Sequence, residues 1–139
     1  MTLWTSDAIA AATGGKATAG FEATGVSIDT RTLKPGEVYL ALKGDSLDGH
    51  DYVGAAFKAG ASGAIVREGF ATSGGPLIAV ADTMKALESL GQAGRARAKA
   101  KIIAVTGSAG KTGTKEMLAT VLSAAGKTHA SKKSFNNHW

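Results

Sequence analysis

Residues 101–118 read KIIAVTGSAGKTGTKEML, and this stretch decides the fold class. The continuous apolar run Ile102–Val105 predicts the fully buried strand of a parallel sheet. A glycine-rich turn follows it, and then comes a helix predicted over Lys115–Ala125, with Gly126 as its end. The predicted apolar face of this helix consists of Met117, Leu118, Val121 and Leu122. Strand, glycine turn and helix in this order are typical of a phosphate-binding loop.

The glycine turn departs from the usual phosphate-loop pattern at one position. In G-x-x-x-x-G-K-[ST] the first glycine would fall at position 105, where this chain has Val105. The rest of the pattern is intact, because glycine, lysine and threonine stand at Gly110, Lys111 and Thr112. The alternative to a phosphate-binding loop is an ordinary glycine-rich turn with a solvent-facing lysine. The position directly after an apolar strand and before an amphipathic helix favours nucleotide binding instead.

Upstream of this stretch, residues 1–98 are predicted to form a separate α/β domain. A short helix is predicted in TSDAIAAATGG, begun by Thr5 or Ser6 and ended by Gly14. Asp82 is predicted to cap a long helix that reaches about Ala98. Strands are predicted in GVSIDTR, GEVYLALKG, Ala64–Val66 and PLIAVAD. Residues 99–139 are then the start of a second, nucleotide-binding domain, which as it stands has too few strands to bury its central one. We therefore expect this chain to be an N-terminal piece of a longer protein.

Composition excludes several classes of protein. The 139 residues are 44% hydrophobic and 19% charged, which is typical of a globular core. The sequence has no membrane-spanning apolar run, no signal-peptide pattern and no cysteine, so we expect a cytoplasmic protein without membrane insertion. The net charge of +5 comes from scattered lysines after position 100 rather than from a basic face, so we expect no nucleic-acid partner.

Two loops of the first domain carry candidate binding residues. Asp29-Thr30-Arg31 follows a predicted strand, and the arginine offers a planar fork to a phosphate or carboxylate. An ordinary polar turn is the alternative for that tripeptide. The loop Leu42–Tyr52, LKGDSLDGHDY, contains three aspartates and His50. A metal site is conceivable there, but an aspartate-rich turn that caps the next helix is favoured by the spacing.

Together these pieces resemble the Mur ligase family, the ATP-dependent amino-acid ligases of peptidoglycan precursor synthesis. VTGSAGKTGTKEML is similar to the family's T-G-[TS]-x-G-K-T loop, which lacks the early glycine. SIDTR with KPGEVYLALKGDSLDGHDYVGAAFKAGASGAIV is similar to its uridine-diphosphate-binding domain. Lys115–Met117 and the pair Asn136-Asn137 resemble the member that joins D-alanyl-D-alanine to UDP-N-acetylmuramoyl-tripeptide. The resemblance implies ATP and Mg²⁺ as cofactors and an acyl-phosphate intermediate. We expect a monomer.

The resemblance also implies roles for individual residues. The ATP-binding residues would be Gly107, Ser108, Ala109, Gly110, Lys111, Thr112 and Gly113. Among them, Lys111 would be catalytic, because it neutralises charge during phosphoryl transfer, and Thr112 would hold Mg²⁺. The substrate-binding residues would be Asp29, Thr30, Arg31, Lys43, Gly44, Asp48, Gly49, His50, Asn136 and Asn137. The family's acidic magnesium ligand and modified lysine would lie beyond position 139, so we expect the chain alone to be inactive.

Other functions stay open at this point. A sibling ligase that adds the third stem residue shares much of the pattern, and a folylpolyglutamate-synthase-like ligase shares the loop. A phosphate-loop kinase or motor ATPase would have the loop near the start of its domain, without a separate domain before it. Residues 1–98 alone could also be a binding module for a uridine nucleotide, without chemistry.

Overall fold

The computed structural model describes residues 1–131, and the chain divides after Ala98 into two compact units. We call residues 1–98 the N-terminal unit and residues 99–131 the C-terminal unit. Each is described by itself. Asn136 and Asn137 lie outside the described residues.

The N-terminal unit is built on a five-stranded sheet in the order β2-β7-β6-β5-β4. The strands are β2 (Lys16–Ala17), β4 (Val26–Ser27), β5 (Val38–Leu40), β6 (Gly63–Arg67) and β7 (Leu77–Val80). Strands β4 to β7 are parallel to their neighbours, and β2 pairs antiparallel with β7 at one edge. A small antiparallel pair, β1 (Trp4–Thr5) and β3 (Glu22–Ala23), stands apart from this sheet. The parallel core confirms the predicted α/β class.

Both faces of the sheet are covered, and the side chains of the parallel strands alternate between them. Helices α1 (Ser6–Thr13) and α3 (Thr83–Arg97) lie on one face, over a core that includes Val38, Ile65 and Ile78. The opposite face packs against α2 (Val53–Lys58), over a core that includes Tyr39, Val66 and Leu77. Burial on both faces explains why β5, β6 and β7 are apolar along nearly their whole length.

The helix ends predicted for the N-terminal unit are confirmed. Thr5 caps α1 by accepting a hydrogen bond from the Ala8 amide, and Gly14 ends it at φ 69°, in the left-handed region. Asp82 caps α3 by accepting from the amides of Met84 and Lys85. A 3-10 turn over Gly49–Tyr52 leads into α2.

The C-terminal unit contains one described helix, α4 (Lys111–Ala125), which begins four residues before the predicted start and ends at Gly126 as predicted. The strand predicted over Ile102–Val105 is wrong, since these residues have no strand pairing and Ile102 and Ile103 are more than half exposed. Residues 128–131 also form no strand. A strand needs a neighbour for its backbone hydrogen bonds, and no described residue of this unit supplies one.

Across residues 1–131, the structure contains no helix with the length and apolar character that a membrane crossing would require.

Candidate functional site

The glycine loop forms the turn into α4, and its backbone conformation requires glycine. Gly110, the residue before the helix, has φ 77°, and Gly107 has φ 154°. No atom lies within 4 Å of where a Cβ on Gly110 would be, so the positive φ, rather than lack of space, makes glycine the favoured residue there. The first intrahelical bond runs from the Thr114 amide to the Gly110 carbonyl at 3.0 Å.

The start of α4 has no side-chain cap, and Lys111 lies over the loop. The Nζ of Lys111 donates a hydrogen bond to the Gly107 carbonyl, four residues earlier. The ammonium group is thereby held beside the loop rather than extended into solvent. An uncapped helix start combined with an ammonium group is suited to an anion such as a phosphate group, because both carry positive charge. The loop therefore fits the phosphates of a nucleotide.

The described residues give less evidence for a metal site than for a phosphate site. No group of three or more His, Asp or Glu side chains within residues 1–131 is arranged to hold a metal. At the loop, the only side chain predicted to bind one is the Thr112 hydroxyl. A hydroxyl of this kind ligates Mg²⁺ together with nucleotide phosphates, so Thr112 fits the ion as part of a metal–nucleotide complex.

The Asp29–Arg31 segment is an ion-paired turn after β4. Arg31 Nε and Nη2 donate to the Asp29 carboxylate at 2.9 and 2.6 Å, and the Arg31 amide donates to it at 2.9 Å. These hydrogen bonds, the side-chain ones first, lower the pKa of Asp29 to about 2. The Arg31 side chain is 87% exposed. Its fork thus binds Asp29 along one edge, while its other N–H groups face solvent and stay available to a ligand.

The second predicted loop, after β5, is closed by its own backbone. Lys43 and Asp48 form an isolated antiparallel bridge, and the Gly49 amide donates to the Leu42 carbonyl at 2.7 Å. A Cβ on Gly49 would lie 2.7 Å from the Leu42 oxygen and 2.8 Å from the Leu42 nitrogen. Cβ atoms in proteins essentially never come this close to another atom. Glycine is therefore required at this position by the backbone packed against it. Gly44 also helps to close this loop, because its amide donates a hydrogen bond to the Leu47 carbonyl at 2.9 Å.

His50 is buried, and both of its ring nitrogens have protein partners. Nδ1 lies 2.6 Å from the Asp48 carboxylate, and Nε2 accepts a hydrogen bond from the Arg67 amide at 2.9 Å. Because Nε2 is an acceptor, the neutral ring carries its proton on Nδ1 and donates it to Asp48. Hydrogen bonds from the His50 amide and then from its ring lower the pKa of Asp48. His50 therefore shapes this site by fixing the end of β6 instead of offering a free nitrogen.

Tyr39 lies where the two loops approach each other. Its hydroxyl donates to the Gly49 carbonyl at 3.0 Å. Its pKa is raised, first by burial and then by electrostatic interaction with Asp29, Tyr52 and Asp48. The two predicted loops follow β4 and β5, which are parallel neighbours, so both loops lie at the same edge of the sheet. This is the edge formed by the carboxyl ends of the parallel strands, where ligands of open α/β sheets bind.

A cleft of about 330 Å³ opens at this edge, beyond β5, β6 and β7. Its lining residues are Lys43, His50, Arg67, Ala81, Asp82, Thr83 and Met84. Two of the predicted substrate-binding residues, Lys43 and His50, line it, whereas Asp29, Thr30 and Arg31 do not. Sequence reasoning missed Arg67 and Thr83. The available signal was the parallel-sheet rule, because Arg67 is the charged residue that ends the apolar strand β6.

The sequence of this chain is similar to a known protein family and to individual members of it. The model of the Mur ligase family, catalytic domain, matches residues 22–124. The chain is 36% identical over 116 residues to the UDP-N-acetylmuramoyl-tripeptide–D-alanyl-D-alanine ligase of Bacillus subtilis, covering 82% of this chain and 25% of the relative. It is 38% identical over 87 residues to the UDP-N-acetylmuramoyl-L-alanyl-D-glutamate–2,6-diaminopimelate ligase of Chlorobaculum tepidum, covering 60% and 17%.

Solved structures agree with the sequence relatives. MurF from Acinetobacter baumannii superimposes with a TM-score of 0.74 at 37% identity, over 87% of this chain and 28% of that protein. MurF from Thermotoga maritima in complex with ADP superimposes with a TM-score of 0.58 at 29% identity, over 71% and 23%. The chain thus spans about a quarter of the length of these MurF-type relatives. The match to the family model extends over well more than half of the residues, and this chain belongs to the Mur ligase family.

Proposed function

We propose that this chain is the UDP-substrate-binding unit and the ATP loop of a ligase that joins D-alanyl-D-alanine to UDP-N-acetylmuramoyl-tripeptide. The observation that carries the proposal is the uncapped start of α4, with Lys111 held across a loop of two positive-φ glycines. That arrangement suits nucleotide phosphates, and a family relative was solved with ADP. The MurF-type relatives named above supply the proposed substrates.

In the proposed reaction, the terminal carboxylate of the tripeptide attacks the γ-phosphorus of ATP, which yields an acyl phosphate and ADP. The amine of D-alanyl-D-alanine then attacks the acyl carbon. The tetrahedral intermediate loses a proton and expels inorganic phosphate as the amide forms. Lys111 offsets the negative charge that develops during phosphoryl transfer, and the amides of the loop Gly107–Gly113 orient the phosphates. Thr112 would hold Mg²⁺, which supplies further positive charge when it is bound.

The two units would divide this work. Residues 1–98 would bind the UDP end of the substrate at the carboxyl edge of their parallel sheet, and residues 99–139 would begin the ATP-binding domain. In the first unit, the residues proposed to form this site are Asp29, Thr30, Arg31, Lys43, Gly44, Asp48, Gly49 and His50. Of these, His50 would act by positioning its hydrogen-bond partners Asp48 and Arg67, because both of its ring nitrogens are engaged. Asn136 and Asn137, proposed to lie near the junction of the two substrates, are outside the described residues. We further propose a cytoplasmic monomer that binds both ligands but does not ligate them by itself.

A sibling activity is the second candidate. The diaminopimelate-adding ligase of Chlorobaculum tepidum is 38% identical to this chain, although over only 87 residues. The relative that adds D-alanyl-D-alanine aligns over 116 residues, which favours the first candidate. The two candidate functions differ in the ligand that should bind more tightly. For the first candidate this ligand is UDP-N-acetylmuramoyl-tripeptide, and for the second it is UDP-N-acetylmuramoyl-L-alanyl-D-glutamate.

Calorimetric titration of the chain tests both halves of the proposal. We expect ADP with Mg²⁺ and UDP-N-acetylmuramoyl-tripeptide to bind independently, since the two sites are assigned to different units. Lys111→Ala should weaken ADP binding at least tenfold, the usual scale for loss of a charge-assisted contact, and leave UDP-substrate binding within about twofold. Lys115→Ala is the matched control, because its Nζ donates to the Ser131 carbonyl rather than to the loop. Equal ADP affinity in wild type and Lys111→Ala would refute the assignment of the loop.

A further inference from the structure

The two lysines at the start of α4 make contacts in opposite directions along the chain. Lys111 and Lys115 are four residues apart, so they lie on the same side of the helix. The Nζ of Lys111 donates to the Gly107 carbonyl, four residues earlier. The Nζ of Lys115 donates to the Ser131 carbonyl at 2.6 Å, sixteen residues later. The beginning of α4 is therefore bonded both to the glycine loop and to the segment that follows the helix.

Neither lysine is favoured at its position by the helix alone. Like charges four residues apart on a helix repel each other, and cations are unfavourable near a helix start, where the dipole is positive. The first turn of α4 has no acidic residue that would offset this cost. Lys111 is accounted for by the proposed phosphate site, so Lys115 requires a role of its own.

The hydrogen bond from Lys115 determines the course of residues 126–131. Lys115 is ten residues before Ala125, the last residue of α4, which is about 15 Å along the helix axis. Residues 126–131 can span at most about 22 Å when fully extended. The segment must therefore run back beside α4, toward the glycine loop, for Ser131 to reach the Lys115 ammonium group. Within the described part of the chain no strand pairing holds this segment, so the bond from Lys115 is what ties its far end to the helix.

The chemistry of an ammonium group suits it to such a tether. It has three N–H donors, and a hydrogen bond from a charged donor is stronger than one from a neutral donor. The Lys115 side chain is half-buried beside the returning segment. Lys127, in the same segment, is exposed, and among residues 1–131 it makes no hydrogen bond or ion pair. The contact is therefore specific to Lys115 and is not a general property of lysines in this unit.

We propose that Lys115 is a positioning residue, which fixes the start of the segment leading to Asn136 and Asn137 relative to the phosphate loop. Asn136 is five residues beyond Ser131, a distance of at most about 18 Å along the chain. The inference rests on the proposed function, in which the loop binds ATP and the two asparagines lie near the junction of the substrates. Lys115 itself does not contact ATP in this arrangement. It limits the separation of the two sites, because phosphoryl transfer depends on the positions of both reactants.

The first test is paramagnetic NMR on the whole chain, which has no cysteine and can therefore carry a single spin label. A nitroxide attached through Thr114→Cys, an exposed position next to Lys115, should strongly broaden the amide resonances of residues 128–131. Lys115→Met removes the charge and the three donors but keeps an unbranched side chain and a good helix former. The broadening should fall severalfold in Lys115→Met and return in Lys115→Arg, which again supplies charged donors. Lys127→Met is the matched control and should retain the full broadening, and circular dichroism establishes that each variant keeps its helices.

The second test is calorimetric titration of the same variants with ADP and Mg²⁺. Lys115→Met should leave ADP affinity within about twofold of wild type, since the bond that it removes is not to the loop. Reduced broadening together with unchanged ADP affinity supports the positioning role.

The other outcomes overturn the inference in distinguishable ways. If the broadening in Lys115→Met equals that of wild type, the tether is refuted and the assignment of the phosphate loop stands. If ADP affinity falls as far in Lys115→Met as in Lys111→Ala, Lys115 is itself a phosphate ligand and its positioning role is wrong. If ADP does not bind to wild type, the assignment of the loop fails, and the positioning role fails with it.

Discussion

Gly49→Ala is the substitution whose cost can be worked most directly from the structure. A Cβ at this position would lie 2.7 Å from the Leu42 oxygen, 2.8 Å from the Leu42 nitrogen and 3.1 Å from the Ala41 carbonyl carbon. All three neighbours are backbone atoms, which cannot rotate away as the end of a side chain can. Relief therefore requires the loop to move and to give up the 2.7 Å hydrogen bond from the Gly49 amide to Leu42. We expect a loss of about 1–3 kcal/mol, the usual range for an overpacked site.

The expected change is large enough to measure by thermal unfolding followed by circular dichroism. A loss of about 2 kcal/mol corresponds to a fall of roughly 8–16 °C in Tm for a unit of this size. Gly91→Ala is the matched control, because no atom lies within 4 Å of the added Cβ and the residue is inside α3. That variant should be more stable by about 1 kcal/mol, since alanine is the better helix former. An unchanged Tm for Gly49→Ala would refute the reasoning that backbone contact requires glycine there.

Two further predictions concern the edge of the sheet. Arg31→Ala should raise the pKa of Asp29 from about 2 toward 3.8, as measured by NMR titration of the side-chain carboxyl carbon. Because the folded-state pKa is lowered, the ion pair stabilises the fold above pH 3.8 and that stabilisation is lost as the pH falls through about 2; an Asp29 pKa that stays near 2 in the variant would contradict the assigned cause. Asp82→Ala should destabilise the N-terminal unit by about 0.5–2 kcal/mol in urea unfolding, because the amides of Met84 and Lys85 lose their acceptor. Asp82→Asn keeps that acceptor and should retain most of the stability, so equal losses in both variants would indicate a charge effect instead of a cap.

Local signals in the sequence predict much of the N-terminal unit. The caps Thr5, Gly14 and Asp82 act within a few residues of themselves, and the structure places each where the pattern predicts it. The strand predicted over Ala64–Val66 is one residue longer at each end in the structure. Such features depend on side-chain and backbone chemistry at short range, which a single sequence records directly.

The candidate site is less predictable, because it depends on which strands are neighbours. The motifs predict Lys43 and His50 but give no reason to connect either with Arg67, which is seventeen positions beyond His50. Their meeting follows from the parallel pairing of β5 with β6, since parallel strands bring their carboxyl ends to the same edge. The role of His50 is likewise invisible in the sequence. A histidine in an aspartate-rich loop predicts a ligand contact as readily as it predicts a ring whose two nitrogens are already bonded.

The predicted strand at Ile102–Val105 shows what apolar patterning does and does not report. Ile102 and Ile103 are more than half exposed, as are Met117 and Val121 on the apolar face of α4. The pattern correctly identifies the residues that would gain from burial, at about 25 cal/mol for each Å² of apolar surface removed from water. It does not supply the covering surface, and the described residues of the C-terminal unit do not supply one either. Periodicity is therefore evidence about the environment for which a segment is suited, whereas the strand itself forms only where a partner strand accepts its hydrogen bonds.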